Sequence, residues 1–214
     1  ARVFGNDRYM LGFSGGCVGL SLPGGFETGL MLYALQPEVI AAMHRRQVAE
    51  QTMRDRYWIR PGTDGALFDQ DMAGTNAPYI SPERFRELCF PYMKKRVAAI
   101  KEHVPQMVIH NCGCNLPLID QFIEAGFDCY QSLQTTAGMD IGMLKERYGD
   151  RMAFWGGVPL EILIDGTVAE TRQAVRQTLD LAGRDGGIIL GPSQSIARGT
   201  RYDNFMAMLE EATK

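Results

Sequence analysis

The chain has 214 residues, 45% hydrophobic and 22% charged, with a formal net charge of −3 from 22 basic and 25 acidic residues. That is enough for one substantial core, read as a single domain over 1–214, and it offers no basic run for nucleic acid or a membrane surface. No apolar stretch reaches the roughly 18 residues of a transmembrane helix, and no signal peptide is visible. Five irregularly spaced cysteines favour reduced thiols in a cytoplasmic compartment over a disulfide framework. The chain starts at Ala1 without a methionine, so native N-terminal residues are expected to be missing.

In chain order, short apolar runs of strand length recur: "YMLGF" (9–13), "GALFD" (65–69), "QMVIH" (106–110), "FDCYQ" (127–131), "RMAFW" (151–155) and "GGIIL" (186–190). Near-continuous hydrophobic runs predict strands buried on both faces. Helical patterns lie between them. Pro37 opens one that runs to about Arg60 through Val39, Ile40, Met43 and Val48. Ser81-Pro82 starts a second, with Phe85, Leu88, Cys89, Tyr92 and Met93 at helical spacing, and Pro91 predicts a kink or a division. Leu116 to Ala125 predicts a short helix capped by Gly126. Thr167 and Glu170 form a capping box before Val168, Val175 and Leu179, and a last helix starts near Tyr202. His44 and His103 fall within helical patterns and read as surface residues. The twelve methionines read as core filler.

Six strand–helix alternations predict an α/β fold with parallel strands. An open doubly wound sheet is the runner-up, but "GFSGGCVG" (12–19) matches neither glycine-rich phosphate motif. Each run ends in polar, glycine-rich or reactive residues, as at the carboxyl ends of strands in a (β/α)8 TIM barrel. Such a barrel needs eight strands and about 250 residues. The chain is therefore expected to be an N-terminally truncated barrel of about six βα units.

The stretch "VIHNCGCNLP" (108–117) raises the sharpest question. Alternate residues of an extended chain point the same way, so His110, Cys112 and Cys114 can converge as metal ligands, unless Gly113 and the following turn swing Cys114 away. Zinc takes such borderline and soft donors, normally three from the protein with one position open. The plain alternative is a histidine hydrogen-bonded to backbone beside two buried thiols. Asp69 and Asp71 flank Gln70 at another strand top, where paired carboxylates can share a proton or hold a cationic group, or simply cap a turn. Gln131 and Gln134 end the next strand and can bind a ligand or face solvent. Trp155 reads as core rather than as a stacking platform. Arg198 and Arg201 lie near the last strand's loop, where they can clamp a carboxylate or sit solvated at a helix start.

The ordered set "GFSGG" (12–16), "DGALFDQDMAG" (64–74), "ISPERFRELCFPYMKK" (80–95), "IHNCGCNLPLIDQFIEAGFD" (109–128), "GDRMAFWGGV" (149–158), "GGIILGPSQSI" (186–196) and "RYDN" (201–204) resembles the uroporphyrinogen decarboxylase family. That family includes zinc- and corrinoid-dependent methyltransferases, and the resemblance implies a (β/α)8 barrel. In the methyltransferase branch, His-x-Cys and a later Cys hold zinc. His110 and Cys112 match the first two, and Gln194 stands at the third. In the decarboxylases, a Tyr and a His serve, and Pro23 and Gln194 stand at those positions. The pattern departs more from the decarboxylases.

The resemblance thus implies an enzyme moving a methyl group between a corrinoid, carried on a partner protein, and a thiol or methylated small molecule. Zinc would sit on His110 and Cys112, completed by Cys114 or Gln194. Asp69 and Gln194 are the candidate catalytic residues, and Asp71, Gln131 and Arg198 the candidate substrate-binding ones. The alternatives are a metal-free decarboxylase acting on a tetrapyrrole carboxylate, and a non-catalytic ligand-binding barrel. The few bases at the strand tops weigh against a polycarboxylate substrate.

Overall fold

The computed structural model describes residues 7–214. Among these residues six strands form one sheet: β1 (Leu11–Phe13), β2 (Gly65–Asp69), β3 (Gln106–His110), β4 (Cys129–Gln131), β5 (Ala153–Val158) and β6 (Ile188–Pro192). Every neighbouring pair is parallel, and the order in space is the order in sequence. A doubly wound sheet reverses its order at a switch point. This one does not, so successive crossovers stay on one face, as they do in a barrel wall.

The crossovers are α1 (Phe26–Leu35) and α2 (Pro37–Trp58) after β1, α3 (Pro82–Leu88) and α4 (Phe90–Lys101) after β2, and α5 (Ile119–Ala125) after β3. Next come α6 (Ile141–Tyr148) after β4, α7 (Leu160–Asp165) and α8 (Val168–Ala182) after β5, and α9 (Tyr202–Ala212) after β6. The division expected at Pro91 falls between α3 and α4. Cys89 ends one helix, and Pro91 sits in the first turn of the next, where its missing N–H costs nothing. Gly126 caps α5 with φ 103°, and Thr167 and Glu170 complete both bonds of the capping box before α8. None of the described helices is long and apolar enough to cross a membrane.

Register sorts the strand residues into two faces. Ala66, Phe68, Met107, Ile109, Tyr130 and Phe154 alternate onto the helix side and are all buried. They join Phe85, Met93, Ile100, Phe122 and Leu144 from the helices in the main core. The opposite, concave face carries Phe13, Leu67, Val108, Cys129 and Ala153 in one row. Val108 and Cys129 at the middle of that face are buried, but Phe13 is 61% exposed and Ile189 46%, so the expectation of strands buried on both faces holds on the helix side and only for the central strands on the concave side. The strand predicted at 186–190 begins two residues later, because Gly186 and Gly187 both adopt positive φ in the turn before it.

His44 departs from the surface position expected of it. It is fully buried, hydrogen-bonds the Leu88 carbonyl oxygen at 2.7 Å through Nδ1, and packs between Tyr33 and Tyr92. Burial pushes its pKa down and keeps the ring neutral. His103 is exposed, as expected.

The glycine-rich segment after β1 is a structural joint. Arg96 of α4 and Asp55 of α2 form a fully buried, bidentate pair at 2.8 and 2.9 Å. The same guanidinium donates twice to the Gly16 carbonyl and once to Thr52 Oγ1, while the Gly15 amide donates to Asp55. A side chain at Gly15 would meet the Gln51 carbonyl at 2.4 Å, so only glycine lets this loop lie on α2. Gln70, just beyond β2, bonds both backbone groups of Leu20 and pins the other end of the loop.

Candidate functional site

The pairing register builds the site. Asp69 pairs with His110, His110 with Gln131, Gln131 with Trp155, and Trp155 with Ile189. Residues paired in a parallel ladder share a face. These side chains therefore form the uppermost row of the concave face, at the carboxyl ends of the strands. A cavity of about 280 Å³ opens there, lined by Asp69, His110, Gln131, Trp155, Gln194 and Ile196 among others. Trp155, expected in the core, is half-buried in this wall. A neighbouring cavity of about 330 Å³ under the glycine-rich loop shares Leu67 and Asp69 with it.

His110 is held from both sides. Nδ1–H donates to the Gln131 Oε1, which leaves Nε2 facing the cavity side. Nε2 lies 3.5 Å from Cys112 Sγ, 3.7 Å from Asp71 Oδ1 and 3.8 Å from Asp69 Oδ1. Burial works against charge on this ring, but the hydrogen bonds to Cys112 and Gln131 and the negative charge at Asp69 outweigh it. The pKa is raised to about 9. Cys112 Sγ also meets Ser132 Oγ at 3.1 Å and Gln194 Oε1 at 3.6 Å. The other partly exposed thiol is Cys114, whereas Cys17, Cys89 and Cys129 are buried, their pKa values pushed up to about 12.

Asp71 enters through the backbone. Its Oδ1 accepts the Cys112 amide at 2.7 Å, which folds the carboxylate over the His-x-Cys turn. One donor atom each from Asp71, His110 and Cys112 then lie within 4.8 Å of one another. With Zn–N near about 2.0 Å and Zn–S near about 2.3 Å, a tetrahedral ion sets its N···S edge at about 3.5 Å. The His110–Cys112 separation has that length. Asp71 Oδ1, 3.7 Å from Nε2, is a few tenths of an ångström beyond the N···O edge of about 3.3 Å, so a small inward turn of the carboxylate lets imidazole, thiol and carboxylate fit a zinc-sized ion.

Cys114, expected as a third ligand, is not in this cluster. Gly113 has φ +87°, and the Cys114 amide turns away to donate to the Gly74 carbonyl at 2.8 Å. A side chain at Gly113 would meet the Ala73 carbonyl at 2.4 Å, so the turn packs directly on backbone. Gln134 steadies it by accepting the Gly113 amide at 2.9 Å. Gln131, expected to bind substrate, spends its carbonyl on His110. Asp69 is the freer carboxylate, 66% exposed against 52% for Asp71, with His110 Nε2 at 3.8 Å. Arg198 is exposed and outside the cavity lining, and Arg201 lies exposed at the start of α9. Asp71 as a donor and Ser132 as a thiol partner were missed. The D-x-D spacing hinted at the first, and nothing in the sequence marks the second.

Fold and site together define a barrel-type parallel α/β protein with a donor cluster at the mouth formed by the strand ends. The uroporphyrinogen decarboxylase (URO-D) family model matches residues 63–214. The chain belongs to that family. It is 28% identical, over 97% of its length, to uroporphyrinogen decarboxylase 2, chloroplastic, of Arabidopsis thaliana, and spans 52% of that relative. A solved methyltransferase structure from Methanosarcina mazei superposes with a TM-score of 0.70 at 20% identity, over 86% of this chain and 52% of that one. The chain thus spans about half the length of the proteins it matches.

Proposed function

We propose that the protein is an enzyme of methyl transfer, working at a metal site in the barrel mouth. The methyl group passes between a corrinoid, carried on a partner protein, and a thiol or methylated small molecule. The observation that carries this reading is the convergence of His110 Nε2, Cys112 Sγ and Asp71 Oδ1 beside an open cavity. His110, Cys112 and Asp71 would hold zinc, with Gln194 Oε1 beside the sulfur. Zinc bound there would stabilise a substrate thiol in its deprotonated, nucleophilic form.

The chain's own groups divide the remaining work. Gln131 fixes the His110 tautomer, so that Nε2 is the nitrogen offered to a ligand. Asp69 projects into the cavity with most of its side chain free, placed to orient a substrate or exchange a proton with it. Trp155 and Leu67 add apolar surface to the wall of the same cavity. Metal uptake competes with the proton that His110 otherwise retains.

A second reading, decarboxylation of a tetrapyrrole carboxylate, is favoured by the likeness to the plant decarboxylase. It needs cations for several carboxylates, and among the described residues neither cavity at Asp69 is lined by Lys or Arg. The deciding experiment is the metal content of the purified protein beside Cys112→Ser and His110→Ala. The methyltransferase reading expects about one zinc per chain, lost in both variants. A wild-type protein that stays metal-free after incubation with zinc would overturn it, and porphyrinogen turnover would then be assayed.

A further inference from the structure

Ser132 follows β4 with φ +82°, the single non-glycine residue with positive φ among those described. Left-handed backbone is costly for a residue with a Cβ, and a glycine here would relieve it. Ser132 is also fully buried, and its hydroxyl makes one hydrogen bond, to Cys112 Sγ at 3.1 Å.

The strained conformation does geometric work on three consecutive residues. Gln131 points to the concave face and bonds His110. Leu133 is fully buried in the main core, and a side chain at Gly156 would meet it at 3.2 Å. Between them, the reversed φ brings the Ser132 hydroxyl under the Cys112 sulfur. Extended backbone would put Ser132 opposite to Gln131, away from the mouth.

We propose that Ser132 is a positioning residue for the metal site, its hydroxyl donating to the Cys112 sulfur and fixing the direction in which that sulfur meets a metal. The inference rests on the proposed metal-binding role of Cys112. Hydrogen bonds to ligand atoms orient them, and their loss typically lowers metal affinity about 10–100-fold.

The test compares the full-length protein with Ser132→Gly and Ser132→Ala in three measurements. These are zinc affinity by competition with a chromophoric chelator, the thiolate-to-cobalt charge-transfer band of the Co(II)-substituted protein, and thermal unfolding without metal. Both variants should bind zinc about 10–100-fold more weakly and show a displaced or weakened band. Ser132→Gly should meanwhile unfold at the wild-type temperature or above, because it relieves the backbone. A residue important only for folding would not move affinity down while stability holds or rises.

Wild-type affinity and an unchanged band in Ser132→Gly would overturn the inference and leave the metal site standing. A wild-type protein that takes up neither metal would overturn the site and the inference together. If Ser132→Ala does not fold, Ser132→Gly decides alone.

Discussion

Replacing Arg96 by alanine tests the account of the glycine-rich loop. Arg96 and Asp55 have no exposed side-chain surface, and the guanidinium bonds both Asp55 oxygens, Thr52 Oγ1 and the Gly16 carbonyl. Arg96→Ala leaves a buried carboxylate with the Gly15 amide as its remaining partner, and orphans the Gly16 carbonyl. An unmatched buried polar group costs about 1–3 kcal/mol, and breaking a buried ion pair about 3–5 kcal/mol. The expected loss is therefore about 3–5 kcal/mol, read from urea unfolding followed by circular dichroism. Asp55→Asn combined with Arg96→Met removes both charges with little change in volume. It should cost far less than the two single changes summed. A single Arg96→Ala cost below about 1 kcal/mol, or a double variant matching the sum, would refute the claim that the pair and the loop act as one buried unit.

Gln131→Ala should free the His110 ring and weaken zinc binding about 10–100-fold in the chelator competition; unchanged affinity would remove Gln131 from the site. Hydrogen bonds from Lys214 and Arg176, with a further one from Arg172, pull the Glu211 carboxyl down to about 2. Its folded pKa lies below the unfolded value of about 4.3, so its stabilisation is present above that pH and fades as pH falls towards 2. Thermal unfolding of Glu211→Gln should accordingly show a flatter acid limb than wild type, and two superimposable limbs would contradict the assignment. An aromatic disulfide reagent should titrate Cys112 and Cys114 rapidly in the folded, metal-free protein, and Cys17, Cys89 and Cys129 only after unfolding. Fast reaction of a third thiol would refute that order.

How far the sequence reached depends on the range of the interaction concerned. The strands over 65–69 and 106–110 were legible residue for residue, since an apolar run bounded by turn residues is a local signal. The capping box before α8 and the Gly126 cap were equally local. α1, α6 and α7 carry weaker signals: α7 has six residues and α6 eight, too short for a helical period to declare itself. The burial of His44 and the Arg96–Asp55 pair was illegible for another reason. Each depends on which helix packs on which, and a charged residue in an amphipathic pattern reads as solvated.

The site follows the same division. His110 and Cys112 stood out because two donor residues two apart at a strand end share a direction by backbone geometry alone. Asp69 beside His110 required the register between β2 and β3, and Gln131 beside His110 the register between β3 and β4. A one-residue slip would have turned either to the helix side. Cys114 shows the limit of the spacing argument. The i, i+2, i+4 rule holds only while the chain stays extended, and Gly113 at φ +87° ends the extension between the two cysteines. The third donor then comes from Asp71, 41 residues away from Cys112 in sequence, drawn in by the amide that the turn exposes. The glycine that takes Cys114 out of the cluster thus belongs to the turn that recruits Asp71 into it. A mixed nitrogen, sulfur and oxygen set follows from the backbone rather than from the cysteine count.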